Sequence, residues 1–295
     1  MNLIIISDIH EDKELIGELK DKIKSEKLGK DNLILIAGGL GYYSIQREKN
    51  YIEKVKECLK DLLEISSNII YVTGDTDKKE LDLQMSSVTN VHDNHLVLNT
   101  SSGKIGIFGY GGAPKFSVRK DQLKYYPNLW DEKIMMDDIK KSLKISYEKV
   151  RLSNPDYVIL LTHSPPYNFA DYSKEISFDN TISLEDYSVE QKDSENKEKK
   201  KKSSNPKHLG SKTILQFIKE FKIDLFFCNH IFKEGGKILN LNNTLMFNVS
   251  HLTPVPHRIF GRKFLIIKDL EKKEFEFHSV TNKNLNFEEY IEKYL

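Results

Sequence analysis

Short apolar runs alternate with amphipathic stretches over the first quarter of the chain. The runs at residues 3–6, 33–37 and 69–72 are rich in isoleucine, leucine and valine, as is typical of buried β-strands. The stretches between them, about 11–28 and 47–65, have apolar residues on one helical face. This order of elements predicts parallel strands joined by right-handed helical crossovers.

The rest of the chain continues as an α/β pattern with more short strands. The further predicted strands are 96–98, 104–108, 157–161, 224–228, 237–240, 244–248, 264–268 and 275–280. The further predicted helices are 131–152, 211–221 and 287–294. The connection 99–103 is typical of a hairpin, and we expect three or four of the C-terminal strands to be antiparallel.

The composition narrows the class of protein. The chain has 295 residues, of which 39% are hydrophobic and 30% are charged, as in globular domains with a substantial core. We expect one domain over residues 1–295. With 45 basic and 44 acidic residues there is no field to attract nucleic acid, so a nucleic-acid partner is disfavoured.

Cysteine usage and the N-terminal sequence bear on the compartment. Cys58 and Cys228 lie in a helical pattern and a strand pattern, which is neither a disulfide framework nor a metal knuckle. The chain starts directly with a strand and contains no apolar run of about 20 residues, the length that a membrane span needs. We therefore expect a cytoplasmic protein that does not enter a membrane.

Residues 168–207 differ in composition from the rest. Serine, aspartate, glutamate, asparagine and lysine dominate there, and residues 197–202 read Lys-Glu-Lys-Lys-Lys-Lys. Such a segment is typical of a mobile surface insertion. It is a candidate docking site for a protein partner, although a lysine run is more often simply solvated.

Chemistry-bearing residues follow several predicted strands. They are Asp8, His10, Asp75, Asp77, His163 and His230. Because the carboxyl ends of strands in an open α/β sheet meet at one edge, these side chains are expected to converge there. A single histidine at a strand end is more often structural, but carboxylates and imidazoles together suit Mn, Fe or Zn. The glycine loop at 109–112 lacks a P-loop lysine, which favours close backbone packing over phosphate binding.

The order of these motifs resembles the calcineurin-like metallophosphoesterases, in particular their small prokaryotic-type members. Residues 7–10 (Ser-Asp-Ile-His) match the first motif and residues 162–166 (Thr-His-Ser-Pro-Pro) the fourth. Residues 208–212 (His-Leu-Gly-Ser-Lys) leading to 228–231 (Cys-Asn-His-Ile) follow the approach to the last motif. The resemblance implies a four-layer sandwich, with two mixed β-sheets flanked by helices. It also implies two metal ions that hydrolyse phosphate esters.

Several motif positions depart from the family pattern: Asp75 stands where the family has a neutral asparagine, and Asn229 stands where the last motif begins with glycine. Three further departures remove a metal ligand or the usual acid. Gly39 stands where the family has the aspartate that bridges the two ions. Thr76 replaces the histidine that protonates the leaving group in many members. Phe232 replaces the second imidazole of the last motif. Without a bridging carboxylate, two closely spaced dications repel each other strongly.

The surviving ligands divide unequally between the two implied ions. The first ion keeps Asp8 and His10, whereas the second keeps Asp75, His163 and His230. Two imidazoles and one carboxylate make a plausible site for a single divalent metal, either Mn, Zn or Fe, or the chain holds none. His251, just after a predicted strand, could replace a lost ligand, although a surface histidine is the more ordinary interpretation.

Two functions are consistent with this pattern. The favoured hypothesis is a metallophosphoesterase fold that is inactive or weakly active and works as a binding or scaffold protein. The retromer scaffold subunit of the same superfamily also departs at the second and third motifs, an analogy of fold that transfers no partner. The alternative is a metal-dependent phosphoesterase or phosphodiesterase that uses the one remaining metal site.

Overall fold

The structure is a computed structural model of the chain. It describes residues 1–28, 31–43, 48–115, 126–173, 207–231, 234–249, 252 and 263–280. The helices are α1 (Lys13–Ser25), α2 (Glu48–Leu63), α3 (Glu132–Leu152) and α4 (Lys212–Glu220). The strands are β1 (Asn2–Ile6), β2 (Asn32–Ala37), β3 (Asn68–Val72), β4 (Val88–Asn90), β5 (Asn94–Thr100), β6 (Gly103–Tyr110), β7 (Ala113–Pro114), β8 (Leu129–Trp130), β9 (Tyr157–Thr162), β10 (Tyr172–Ser173), β11 (Lys207–His208), β12 (Leu225–Cys228), β13 (Ile238–Leu241), β14 (Thr244–Asn248), β15 (Lys263–Asp269) and β16 (Glu274–Ser279).

The described strands form two large mixed sheets. The first has the order β16-β15-β1-β2-β3-β4, and the second has the order β13-β14-β12-β9-β6-β5. Strands β1 to β4 are parallel, as the crossover pattern predicts, and β15 closes on β1 in antiparallel fashion. In the second sheet β6, β9, β12 and β14 are mutually parallel. The predicted antiparallel pairing of C-terminal strands is confirmed for β13 with β14 and for β15 with β16. The parallel pairing of β14 with β12 is an addition that the sequence did not predict.

Alternate residues along each central strand face different layers. In β1, Ile4 and Ile6 pack with the buried faces of α1 and α2, whereas Leu3 and Ile5 pack against the second sheet. The outer face of the second sheet packs with α3 and α4 through residues such as Phe108 and Phe217. The result is a four-layer α/β/β/α sandwich, so the predicted fold class is confirmed. Continuous apolar strands are required because each sheet is covered on both faces.

Helix boundaries follow the local capping chemistry. Asp131 and Ser211 accept hydrogen bonds from first-turn N–H groups and so cap α3 and α4, close to the predicted starts. Helix α1 ends at Ser25, before the predicted end at about 28, because Lys27 adopts a left-handed φ of 51°. The predicted helix at 287–294 lies outside the described residues.

The predicted insertion also lies largely outside the described residues. Its flanks are described, however, and β10 pairs with β11 through Tyr172 with His208 and Ser173 with Lys207. Residues 168–173 and 207 are therefore described, and residues 174–206 of the predicted insertion lie outside the described residues. In the described part of the chain, no helix has the length and apolar character needed to cross a bilayer.

Candidate metal site

Loops from both sheets meet at the carboxyl ends of β1, β2, β3, β9 and β12. There Asp75, His163 and His230 each present one possible ligand atom, and these atoms lie within 4.8 Å of one another. Among the described residues, these three form the one group of acidic, histidine or cysteine side chains that is spaced closely enough to hold a metal ion. The converging strand ends of two sheets, rather than of one, bring together residues that are up to 155 positions apart in the sequence.

The orientation of the His163 ring is fixed by a backbone carbonyl. Its Nδ1 lies 2.8 Å from the carbonyl oxygen of Ala37, which can only accept, so Nδ1 carries the hydrogen. Nε2 lies 3.2 Å from Oδ1 of Asp75, to which it donates a hydrogen bond when the ring is protonated; in the neutral ring Nε2 carries the lone pair that could bind an ion. Metal-binding histidines commonly use one ring N–H in this way, because it holds the other nitrogen ready to bind the ion.

His230 completes the group from the neighbouring strand of the same sheet. Its Nδ1 lies 3.6 Å from Oδ2 of Asp75, and its ring centroid lies 5.1 Å from that of His163. All three side chains are nearly buried. The two imidazoles therefore face the two oxygens of a single carboxylate.

The electrostatics of the group suit a cation. Burial opposes ionisation of Asp75, but the charges of His230 and His163 hold its pKa well below the ordinary value. Burial also opposes protonation of His163, yet its hydrogen bond to Asp75 raises the pKa of that ring to about 9. For His230, burial lowers the pKa to about 4. An ionised carboxylate between two imidazoles attracts a positive charge, which in the metal-free protein is the extra proton on His163. A divalent ion would displace that proton, because histidine binds metal in its neutral form, and the donor set of two imidazoles and one carboxylate fits one such ion.

The half of the site assigned to a first ion is organised differently. Asp8 Oδ1 lies 3.7 Å from Nε2 of His10, and both side chains are buried. Burial raises the pKa of Asp8 to about 7 and lowers that of His10 to about 4. The ring of His10 stacks on Tyr42 with centroids 4.2 Å apart and planes 9° from parallel. Asp8 and His10 are thus neighbours, but they are not members of the three-residue group described above.

A side-chain amide, not an imidazole, faces Asp8 from the last motif. Nδ2 of the fully buried Asn229 donates to Oδ2 of Asp8 and, at 2.6 Å, to Oγ of Ser7. A donor with partial positive charge therefore contacts the carboxylate that the resemblance assigns to the first ion. The sequence showed that the usual glycine before His230 is an asparagine, but only the structure shows what its amide contacts.

The backbone at Gly39 leaves no room for a side chain. A Cβ atom built there would lie 1.9 Å from Oδ1 and 2.7 Å from Cα of Asp8, and Gly39 has a left-handed φ of 71°. The loss of the bridging aspartate is therefore more than a missing carboxylate. The space that its side chain would enter is filled by Asp8.

Asp77 has a structural role that the sequence did not reveal. Its fully buried carboxylate accepts hydrogen bonds from the backbone N–H groups of Gly39, Leu40, Gly41 and Gly74, at distances of 2.6–3.0 Å. It also accepts one from the hydroxyl of Tyr51, at 3.1 Å. Burial raises the pKa of Asp77, and the N–H donors act against that shift. Asp77 thus joins the loops after β2 and β3.

Thr76 supports the same junction. Its hydroxyl donates to the carbonyl oxygen of Gly41 at 2.9 Å, and its own carbonyl accepts from the N–H of Tyr43 at 3.0 Å. The position that carries a catalytic imidazole in many related proteins is therefore occupied by a residue that binds loop backbone. A hydroxyl committed in this way is a poor proton donor to a leaving group.

Three residues of the site loops are among the fourteen described non-glycine residues with a positive φ. Asp8, His10 and His230 have left-handed φ values of 50°, 43° and 77°, which are uncommon for residues with a side chain. Such strained positions cluster at functional sites because the surrounding structure has to hold them. The glycine loop 109–112 serves close packing, as predicted, since a Cβ on Gly111 would lie 2.5 Å from the carbonyl oxygen of Thr73.

The predicted site residues are therefore not equivalent. The structure brings Asp75, His163 and His230 into one group and leaves Asp8 and His10 in an adjacent network. Phe232 and His251 lie outside the described residues, so neither the replacement of the second imidazole nor the proposed substitute ligand is described.

These features define the class of protein as a two-sheet α/β sandwich that gathers metal-binding side chains from the strand ends of both sheets. Residues 1–234 match the family model of the calcineurin-like phosphoesterases, and the chain belongs to that family. The protein TT1561 of Thermus thermophilus is similar in fold, with a TM-score of 0.57 and 14% identity over 95% of this chain and 99% of that one. A second crystal structure gives a TM-score of 0.62 and 12% identity with the same coverage. No curated protein sequence matches this chain.

Proposed function

We propose that this calcineurin-like phosphoesterase binds one divalent cation through Asp75, His163 and His230 and has lost efficient two-metal hydrolysis. In this proposal it works mainly as a metal-dependent binding protein for a phosphate ester. The observation that carries the proposal is the three-residue group itself, in which three ligand atoms lie within 4.8 Å and Asp75 is ionised.

The charge of the group supports a single ion. The family pattern has a neutral asparagine at position 75 and an aspartate at position 39, whereas this chain has Asp75 and Gly39. One negative charge has thus been lost beside the first ion and one gained at the second. The carboxylate of Asp75 faces both imidazoles, so three protein ligands are present for one ion even without the bridging aspartate.

The first half of the site supports the same conclusion. Asp8 contacts the amide of Asn229, and its Oδ1 fills the space beside Gly39. Two divalent ions a few ångströms apart need a carboxylate between them to offset their repulsion. Among the described residues, Asp75 is the carboxylate of the group with metal-binding spacing, and it already lies between the two imidazoles.

A bound divalent ion would act as a Lewis acid toward a phosphoryl oxygen and would lower the pKa of a bound water. The chain's own residues contribute the orientation of the ligands. Ala37 fixes the ring of His163, and Asp75 aligns both imidazoles. Three protein ligands leave coordination positions for a phosphate oxygen and for water, which is the basis of the proposed binding.

The test is phosphate binding with and without metal. Wild-type protein loaded with Mn²⁺ is expected to bind inorganic phosphate in calorimetry, and chelation with EDTA should abolish the signal. His163→Ala removes one of three ligands and should weaken Mn²⁺ affinity by more than about 100-fold. This loss exceeds the loss of about 10- to 100-fold that is typical when a residue that only supports a ligand is replaced. Phosphate binding should be lost with the metal.

His95→Ala is the matched control, because His95 lies on β5 and is not a member of the metal-binding group. This variant should bind Mn²⁺ and phosphate like the wild type. Phosphate binding that survives both EDTA treatment and His163→Ala would contradict the proposed function.

A slow single-metal phosphodiesterase is the second candidate. The three-ligand group with coordination positions left for water favours it. The absence of an imidazole at Thr76 predicts a preference for activated diesters, whose leaving groups need no proton. Hydrolysis of bis(p-nitrophenyl) phosphate that disappears in His163→Ala but persists in His95→Ala would support this candidate. Turnover unaffected by His163→Ala would exclude it.

A further inference from the structure

Asn128 contacts the segment that carries Asp75, although the two residues are 53 positions apart. The side chain is 2% exposed, and its Nδ2 donates to Oγ1 of Thr73 at 3.0 Å and to the carbonyl oxygen of Gly74 at 2.9 Å. Its backbone N–H donates to the carbonyl oxygen of Asp75 at 3.2 Å. A single buried residue thus forms hydrogen bonds with three consecutive residues, the last of which is the metal ligand Asp75.

The other side of Asn128 contacts the glycine loop. Its carbonyl oxygen accepts from the N–H of Ala113 at 3.3 Å, and a Cβ on Gly112 would lie 2.4 Å from that oxygen. The N–H of Gly112 in turn donates to the carbonyl oxygen of Thr73 at 2.7 Å. Asn128 therefore holds the loop after β3 against the loop after β6.

We infer that Asn128 is a positioning residue for the metal ligand Asp75. The physical reason lies in Gly74, which has more backbone freedom than any other residue type. A Cβ on Gly74 would lie 2.4 Å from the backbone nitrogen of Gly39, so a bulkier and stiffer residue does not fit there. Asn128 donates hydrogen bonds to the carbonyl oxygens of Gly74 and Asp75, which lie before and after the α-carbon of Asp75. These two bonds restrain the backbone of Asp75, which the flexible Gly74 does not restrain.

This inference rests on the proposed metal site and adds a residue from outside the family motifs. Residues that orient a metal ligand typically change metal affinity about 10- to 100-fold when they are replaced. Asn128→Ala should therefore weaken Mn²⁺ binding by about 10-fold or more, while the protein remains folded. Thr73→Val, which removes one of the two acceptors, should have a smaller effect, and Thr73→Ser should restore wild-type affinity.

Asn90→Ala is the matched control for loss of a side-chain hydrogen bond. Asn90 also donates from Nδ2 to a backbone carbonyl, that of Leu81 at 3.1 Å, which lies outside the loop that carries Asp75. Both asparagine variants should lower the melting temperature of the metal-free protein. Only Asn128→Ala should also lower Mn²⁺ affinity measured by calorimetry at a temperature where both variants are folded.

The outcomes separate this inference from the proposed function. If wild-type protein and Asn90→Ala bind Mn²⁺ and Asn128→Ala binds it equally well, Asn128 is only structural and the inference is overturned. An equal loss of affinity in Asn90→Ala and Asn128→Ala would also overturn it, because the effect would then follow general destabilisation. If the wild type binds no Mn²⁺, the proposed function fails first and the inference fails with it.

Discussion

Asp77→Ala is expected to lower the free energy of unfolding by about 3–5 kcal/mol, one of the largest effects of a single substitution in this chain. The carboxylate accepts four backbone N–H groups and one hydroxyl in a fully buried position. Without it those donors have no acceptor, and each unsatisfied buried donor costs about 1–3 kcal/mol. Relief of the cost of burying a charge and partial rearrangement of the loops keep the total below the simple sum.

Urea denaturation of the variant and the wild type measures this difference. Asp77→Asn keeps one acceptor oxygen and should be intermediate. Asp137→Ala, on the exposed face of α3, is the control and should change stability by less than about 0.5 kcal/mol. If Asp77→Ala is as stable as Asp137→Ala, the loops after β2 and β3 are not held together by this carboxylate.

Gly39→Ala is expected to destabilise the protein by about 2–5 kcal/mol, from left-handed backbone strain and overpacking together. The added Cβ would lie 1.9 Å from Oδ1 of Asp8 and 2.7 Å from its Cα, and a backbone atom cannot move aside cheaply. Gly39→Asp places a carboxylate where the family has one, but it meets the same obstruction. It should not create a second metal site.

Gly17→Ala is the matched control, because a Cβ on Gly17 meets nothing within 4 Å and the residue lies inside α1. That substitution should stabilise the protein by about 0.5–1 kcal/mol, the usual gain of alanine over glycine in a helix. If urea denaturation shows that Gly39→Ala lowers the free energy of unfolding and Gly17→Ala raises it, the packing described at Gly39 is supported. A Gly39→Asp variant that folds normally and binds two ions would contradict it.

The fold was largely predictable because its central strands are covered on both faces. Continuous apolar runs such as residues 33–37 have few alternatives to a buried strand, and the spacing between runs fixes the parallel crossovers. The predictions differ from the structure where the end of a helix or the partner of a strand depends on backbone conformation or on tertiary contacts. Lys27 ends α1 by its backbone conformation, and β14 joins β12 although its sequence also suits a purely antiparallel ladder.

The candidate site was predictable in its residues but not in its contacts. Strand-end position indicated Asp75, His163 and His230, since parallel strands deliver their carboxyl ends to one place. The contact between Asn229 and Asp8 joins residues 221 positions apart, and the bonds of Asp77 go to backbone N–H groups. Such contacts cannot be predicted from the sequence, because the identity of a residue does not indicate which group its side-chain amide or its backbone N–H contacts.

The proposed single-ion site can be tested by the number of ions that purified wild-type protein binds. Calorimetry with Mn²⁺ and with Zn²⁺, combined with elemental analysis after dialysis, gives both affinity and stoichiometry. The proposed site predicts one tightly bound ion per chain, which is lost in His230→Ala. Two ions per chain would contradict it and would mean that another carboxylate bridges the metals beside Gly39. No binding tighter than about millimolar, a free energy of about −4 kcal/mol, would equally contradict it.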